Sequence, residues 1–182
     1  MTALLLFRPC QLALLLLFCL ALPAPVRAQG PGPAFDRAAG CGQPASGSTY
    51  VPVRLAVDAA GNAYVAGYFS GTVVFGSTIL TGGSTPPPQG GRDYDWFVAK
   101  LDPLGATVWA VRGGAAAADD RCQDLCLDGQ GHVFVAGVAQ DGARFGPWSV
   151  SSPNGEARIA VARLDAATGA WQWVAHGGGT RN

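Results

Sequence analysis

An internal repeat is the feature of this sequence that most constrains its fold. The segment Leu55–Gly67 recurs 70 residues later as Leu125–Gly137, with Asp, Gly, an aromatic residue and a final Ala-Gly at the same places. Further along, Val98–Asp102 recurs as Val161–Asp165, and the matches keep the same order in both copies. Such a period is typical of a chain built from copies of one supersecondary unit that bury their apolar faces on each other.

Each copy has the pattern of short strands joined by tight turns. Apolar and aromatic residues cluster in short runs, and the chain contains 26 Gly and 13 Pro to punctuate them. Helical periodicity is absent, so the two units, at about residues 55–114 and 125–178, are predicted to be antiparallel β-meanders in an all-β fold. Aspartate bonds to the backbone ahead of it and glycine accepts positive φ, so both suit the predicted turns. Four residues are assigned this structural role: Asp58, Gly61, Asp128 and Gly131.

Two tryptophans also occupy equivalent places in the repeat. Trp109 and Trp173 each follow an Asp-started turn and precede a pair of glycines. A large aromatic residue repeated once per unit is typical of a wedge between neighbouring sheets, where the ring buries a large apolar area. We therefore expect both tryptophans to have the same structural role.

These residues resemble a known family, the bacterial β-propeller repeat often called the seven-bladed β-propeller or SBBP repeat. The resemblance runs through Leu55–Gly67, Phe97–Asp102, Trp109 and Gly113–Gly114. The second copy departs from the family pattern, since His132 stands for the usual Asn and Ala160 for the usual Phe. The resemblance implies propeller-type blades in an exported or surface-associated bacterial protein, and it implies little biochemistry.

The number of repeat copies is lower than a closed propeller requires. A propeller closes with about four to eight blades of four strands each, whereas this sequence has two matching units. The expected architecture is therefore a partial or truncated β-propeller. Three alternatives follow: the chain is a fragment of a longer product, several chains assemble one ring, or the two units form an open β-structure.

The N-terminal residues have the pattern of an export signal. A positive charge precedes Leu12–Leu22, an apolar run of 11 residues, which is shorter than the roughly 20 residues that a membrane-spanning helix needs. Small residues before Gln29 fit a signal peptidase site, so residues 1–28 are predicted to be a cleaved signal peptide. We expect a flexible Gly- and Pro-rich leader over residues 29–48 and the repeat region over residues 49–182. The mature chain is then secreted, periplasmic or held at the cell surface, without membrane insertion.

Three cysteines follow the predicted cleavage site: Cys41, Cys122 and Cys126. An oxidising compartment favours a disulfide among them, with free thiols as the alternative. On one extended strand Cys122 and Cys126 would lie about 13 Å apart, beyond the ~7 Å that a disulfide allows, so their bridge needs an intervening turn. A bridge from Cys41 to either of them is the other pairing. The spacing does not match a zinc site.

Composition and position narrow the classes of ligand. The chain has 12 basic and 12 acidic residues without a clustered basic face, so we expect no nucleic-acid partner. Equivalent turn residues would lie on one rim of neighbouring sheets, where we interpret them as hairpin builders rather than a metal or ligand site: Asp58, Asn62, Asp128 and His132. Tyr94 and Trp96 would share a strand face beside Arg92, which makes this trio a candidate surface for a glycan or a partner protein. Edge packing against the adjacent long loop is the alternative for these aromatic residues.

Residues suited to catalysis are scarce. The histidines are His132 and His176, the single glutamate is Glu156, and none lies in a recognisable nucleophile motif. We expect no cofactor and predict an exported, non-enzymatic repeat protein that acts as a scaffold or binding surface. Its partner would be a protein, a glycan or further propeller blades. The alternatives are a glycan-binding module and a fragment of a propeller hydrolase or lyase whose active site lies in other blades.

Overall fold

A computed structural model describes residues 40–82, 93–152 and 155–178. These residues are all-β, as predicted, and they form twelve strands. The strands are β1 (Gln43–Pro44), β2 (Thr49–Val57), β3 (Ala63–Phe75), β4 (Thr78–Gly82), β5 (Asp95–Leu101), β6 (Thr107–Gly113), β7 (Arg121–Leu127), β8 (His132–Ala139), β9 (Arg144–Phe145), β10 (Trp148–Ser149), β11 (Arg158–Asp165) and β12 (Trp171–Gly177). This part of the chain contains no helix long and apolar enough to cross a membrane. The predicted signal peptide, residues 1–28, lies outside the described residues.

The first sheet is built on an antiparallel meander of β2, β3, β5 and β6. Val65 on β3 pairs with Leu55 on β2 and with Ala99 on β5. Residues 71–75 extend β3 beyond the meander, where they pair with β4 and with β1. Successive side chains of a strand point to opposite faces, and here both faces carry buried apolar residues. The sheet therefore has a hydrophobic cluster on each side.

The second sheet has the same strand order, formed by β7, β8, β11 and β12. Val135 on β8 pairs with Leu125 on β7 and with Ala162 on β11, in the same register as Val65 in the first sheet. The first strand of each sheet carries a β-bulge at the corresponding place. Within the described ranges, none of the sheets closes on itself.

The two sheets pack face to face and share the larger hydrophobic core. The side of the first sheet that contacts the second is called the inner face, and it consists of Tyr64, Ala66, Trp96, Val98 and Trp109. Buried residues of the second sheet meet it: Val133, Val135, Ala160, Ala162 and Leu164. Fully burying a large apolar side chain contributes about 1.5–3 kcal/mol, so this contact is a major source of stability.

Each sheet carries an inserted hairpin between its second and third long strands. In the second sheet, the β9–β10 hairpin places Phe145 between the sheets, where its ring meets Trp96 at a centroid distance of 4.9 Å and Trp171 at 5.0 Å. In the first sheet, Phe75 packs over Phe97 at 5.5 Å on the side away from the second sheet. Phe75 thus occupies the same place on the first sheet as Phe145 does on the second.

The C-terminal end of the predicted leader belongs to the first sheet. Gln43 of β1 pairs with Val74 of β3. At the corresponding place on the second sheet, Arg144 exchanges two backbone hydrogen bonds with Gly114, at the end of the first unit. β1 therefore stands where the end of a preceding unit would stand. Of the predicted leader, residues 29–48, residues 29–39 lie outside the described residues, and β1 is hydrogen-bonded into the sheet.

The three cysteines are free thiols, which is one of the two alternatives that the sequence left open. Cys122 and Cys126 both lie on β7 without an intervening turn, Cys122 buried toward the first sheet and Cys126 exposed beside Phe134. Cys41 packs near Tyr50 in the hydrophobic cluster on the other side of the first sheet. Burial raises the pKa of Cys122 to about 12, which suppresses its thiolate.

Candidate functional site

The Asp-started turns lie at one end of each sheet. They join the first strand of a meander to the second and the third strand to the fourth, and alternate connections of an antiparallel meander lie at the same end. In the β2–β3 turn, Oδ1 of Asp58 accepts hydrogen bonds from two backbone N–H groups at 2.9 and 3.0 Å. Asp128 accepts the same two bonds in the β7–β8 turn, at 2.7 and 3.1 Å. The glycine in each turn has positive φ, +83° at Gly61 and +93° at Gly131, a conformation that other residues adopt only at a cost.

The second oxygen of each turn carboxylate also has a partner within its turn. The Asn62 side-chain amide donates to Oδ2 of Asp58 at 2.8 Å, and this bond is the main cause that lowers the pKa of Asp58. At Asp128, partial loss of water acts to raise the pKa, but the bonds from His132 and the turn backbone outweigh it and the pKa falls. Nδ1 of His132 lies 2.6 Å from Asp128 Oδ2. These rim residues therefore hold the turns in shape.

A cleft of about 590 Å³ opens at this end of the sheets, between the two hairpin turns. Lys100 projects its Nζ to 5.0 Å from the ring centroid of Tyr64. Burial raises the pKa of the Tyr64 phenol, although the neighbouring Lys100 acts to lower it. Across residues 40–82, 93–152 and 155–178, no three acidic, histidine or cysteine side chains gather closely enough to hold a metal ion. The lining includes Val57, Asp58, Tyr64, Lys100, His132 and Ala166.

One backbone carbonyl in this cleft joins the two sheets. The Ala166 oxygen accepts hydrogen bonds from Lys100 Nζ at 3.0 Å and from Trp109 Nε1 at 3.2 Å. The Tyr64 hydroxyl also lies 3.4 Å from it. The Trp109 ring packs on Gly169 in the same turn, so closely that a Cβ there would come within 2.7 Å of the ring. The first sheet thus contacts the β11–β12 turn through the Trp109 ring and through hydrogen bonds donated by Lys100 and Trp109.

The second sheet presents an equivalent set of groups on its far side. This side is called the open face, and it consists of Phe134, Ile159, Val161, Arg163 and Trp173. The Phe134 and Trp173 rings meet edge to face at 6.0 Å and 68°, and their inner-face counterparts, Tyr64 and Trp109, meet at 6.0 Å and 61°. The aromatic pair is therefore built twice, once inside the protein and once on its surface.

The open face and the inner face differ in the exposed fraction of their equivalent side chains. Ile159 is 69 % exposed, whereas its inner-face counterpart, Trp96, is fully buried. Nε of Arg163 is buried and has no hydrogen-bond partner among the described residues. The corresponding donor on the inner face, Lys100, bonds to the Ala166 carbonyl. The open face therefore has apolar surface and donor groups, and among the described residues no further sheet packs on it.

The predicted ligand surface around Trp96 is not an exposed platform. Trp96 fills the space between the sheets, and its Nε1 donates to a backbone carbonyl of β8 at 2.9 Å. Tyr94 is half-buried against Tyr68, with a ring-centroid distance of 5.1 Å and the Arg121 guanidinium over both rings. Arg92 lies outside the described residues. A glycan therefore cannot stack on Trp96 in this fold.

The tryptophans divide differently from the prediction. Trp109 is buried between the sheets, whereas its repeat counterpart Trp173 is half-buried on the open face. No tryptophan stands at the repeat positions that correspond to Trp96 and Trp171, yet both pack on Phe145 in the contact between the sheets. The repeat identifies equivalent positions on the two sheets. It does not predict which side chains pack between the sheets when the residue types at the equivalent positions differ.

No protein-family model matches this chain, and no curated protein matches it significantly. The candidate site is therefore defined by geometry. The polar groups of the rim cleft already bond to one another, Tyr64 to Asp58 and His132 to Asp128 within a sheet and Lys100 to the Ala166 carbonyl across the two sheets. The open face contains the exposed Ile159 side chain, half-buried aromatic rings and a donor without a hydrogen-bond partner among the described residues, and it is the stronger candidate for binding.

Proposed function

We propose that this chain is an exported, non-enzymatic repeat protein of propeller type, which acts as a docking scaffold through its open face. The observation that carries the proposal is the difference in burial between the two equivalent faces. The inner face, with Trp96 at its centre, is covered by a sheet, whereas Ile159 at the same position on the open face is 69 % exposed. With the half-buried Phe134 and Trp173 beside it, Ile159 makes this face apolar, and apolar surface grouped in this way is a feature of protein-binding sites.

The propeller interpretation is supported by the arrangement of the sheets. Each is built on a four-stranded antiparallel meander with the same register, to which the first sheet adds β1 and β4, and the two stack face to face. The blades of a propeller are four-stranded sheets of this kind, each packed on the next. Export is supported by the N-terminal sequence pattern, and mass spectrometry of the secreted protein should find an N-terminus at Gln29. Retention of Leu12–Leu22 in the mature protein would contradict a cleaved signal.

Site-specific photo-crosslinking tests the docking function. A photoreactive amino acid is placed at position 159 in the full chain, expressed in cells that export it. Its matched control is position 79, because Ile79 is also largely exposed but lies on β4, away from the open face. We expect protein adducts from position 159 in excess of those from position 79. Equal yields from both positions, or no adducts, would overturn docking through the open face.

The enzymatic alternative is tested with the same protein. We expect no turnover of a panel of hydrolase, glycosidase and lyase substrates, because the polar groups of the cleft bond to each other, Lys100 to Ala166 and His132 to Asp128. Turnover that Lys100→Met or His132→Ala abolishes would contradict the proposal. The substitution Arg54→Ala is a suitable control, since Arg54 makes an exposed ion pair with Asp124 and does not line the cleft.

A further inference from the structure

We infer that the partner of the open face is a second copy of this chain, docked head to tail. This inference rests on the proposed docking function and names its partner. The chain carries the complementary surface on the side of the first sheet that faces away from the second. This surface, called the outer face, includes Val53, Leu55 and Val65, and a groove of about 350 Å³ runs along it.

The contact between the two sheets of one chain is the template for the contact between copies. Within the chain, the inner face buries Leu125 and Val135 of the second sheet. Their counterparts on the outer face are Leu55 and Val65, in the same register. Leu55 is 63 % exposed, whereas Leu125 is 7 % exposed. The open face corresponds to the inner face, and the outer face corresponds to the surface that the inner face covers. The open face of one copy can therefore cover the outer face of another in the same way.

The polar groups support the same pairing. On the inner face, two side-chain donors converge on the carbonyl of Ala166, the residue after Asp165 in the β11–β12 turn. The corresponding residue of the first sheet is Pro103, which is exposed in the β5–β6 turn. On the open face, Arg163 and Trp173 stand at the places of the inner-face donors. In the docked pair, the Pro103 carbonyl of one copy accepts hydrogen bonds from Arg163 and Trp173 of the other.

The β1 strand does not obstruct this arrangement. It pairs with the edge of the β3 extension, where the end of a preceding unit would pair, and it leaves Leu55 exposed. A docking copy therefore has to cover only the sheet face. Because the two surfaces differ, the contact is heterologous, and successive copies form a closed ring or an open filament.

Sedimentation velocity over a concentration series tests the inference with the full mature chain. The parent should form species larger than a monomer. Ile159→Asp on the open face and Leu55→Asp on the outer face should each weaken association by about 100-fold or more, because docking would bury an unpaired charge. Both positions are exposed within one chain, so neither variant should lose its fold. The control Ile79→Asp, equally exposed on β4, should assemble like the parent.

A mixing experiment identifies the head-to-tail geometry. Ile159→Asp keeps an intact outer face and Leu55→Asp keeps an intact open face, so an equimolar mixture should form a one-to-one dimer and nothing larger. The exposed thiol of Cys126, next to Phe134 on the open face, supplies a second readout. Its alkylation should be slower in the parent assembly than in the Ile159→Asp variant.

The outcomes separate the inference from the proposed function. A parent that stays monomeric at every concentration, or a mixture that forms no dimer, overturns docking between copies. Assembly that only Ile159→Asp disrupts indicates symmetric pairing of open faces and also overturns it. Adducts from position 159 with a different protein, together with a monomeric parent, would keep the docking function and reject the second copy as its partner.

Discussion

Leu55 and Leu125 occupy the same register position in two sheets of equal strand order, yet Leu55 is 63 % exposed and Leu125 is 7 % exposed. Each leucine pairs with a valine on the next strand, Val65 or Val135. Leu125 is buried because it belongs to the core that the two sheets share. Leu55 is exposed because its side of the first sheet faces away from that core.

This pair gives a matched test of the contact between the sheets. Under conditions where the chain is monomeric, Leu125→Ala should lower the free energy of unfolding by about 2–5 kcal/mol, through lost burial and the cavity left behind. Leu55→Ala should change it by no more than about 0.5 kcal/mol, since most of the side chain is already in water. Urea melts of the two variants measure both values. Equal losses would mean that the sheets do not pack as described.

The two equivalent tryptophans should also differ in their contribution to stability. Trp109→Ala should cost about 3–5 kcal/mol, because the ring is buried between the sheets and its Nε1 bonds to Ala166. Trp173→Ala should cost less in the monomer, because Trp173 is only half-buried. Trp148→Ala is the control, since Trp148 is 44 % exposed on the β9–β10 hairpin. Denaturant midpoints that rank Trp173→Ala at or above Trp109→Ala would refute this assignment.

A methyl group at Gly169 should push the sheets apart. The residue has φ of +74°, and an added Cβ would lie 2.7 Å from the Trp109 ring. Gly142 has a similar φ of +80° but open space around it, so Gly142→Ala isolates the backbone strain, which is about 1–2 kcal/mol. Gly169→Ala should cost about 1–3 kcal/mol more than this control, through overpacking. The difference between their thermal or urea melts gives the steric part, and no difference would contradict the Trp109 contact.

The turn at Asp58 should make stability depend on pH. Its pKa is lowered in the folded state, mainly by the hydrogen bond from Asn62, so its stabilising effect is present above the unfolded pKa of about 3.9 and is lost as pH falls through the folded pKa. Asn62→Ala should raise the Asp58 pKa in an NMR carboxyl titration. It should also reduce the stability lost on acidification. Gln130→Ala is the control, because its side-chain amide makes no hydrogen bond among the described residues, and it should leave the Asp58 titration unchanged.

Local features of this protein follow from its sequence. The Asp and Gly residues of the turns, such as Asp58 and Gly61, act through backbone groups a few residues away. Period-2 alternation and the spacing of turns depend on near neighbours in the same way. The all-β class and the antiparallel meanders could therefore be predicted before any contact between sheets was known.

Contacts between residues that lie far apart in the chain could not be predicted from the sequence. The sequence left open whether Trp96 is exposed to a ligand or packed at an edge, and it is buried because Phe145 and β8, far along the chain, pack against it. The choice between a disulfide and free thiols depended on such placement too, since the cysteines lie on different faces and in different clusters.

By itself, the sequence determined which positions of the two sheets are equivalent, because equivalence is a property of local pattern and register. Only the tertiary structure decided which of two equivalent residues is buried and which is exposed. Leu125 and Trp109 lie in the contact between the sheets, while Leu55 and Trp173 face away from it. Burial depends on what stands opposite a face, and a stack of two sheets has one buried contact and two outward sides.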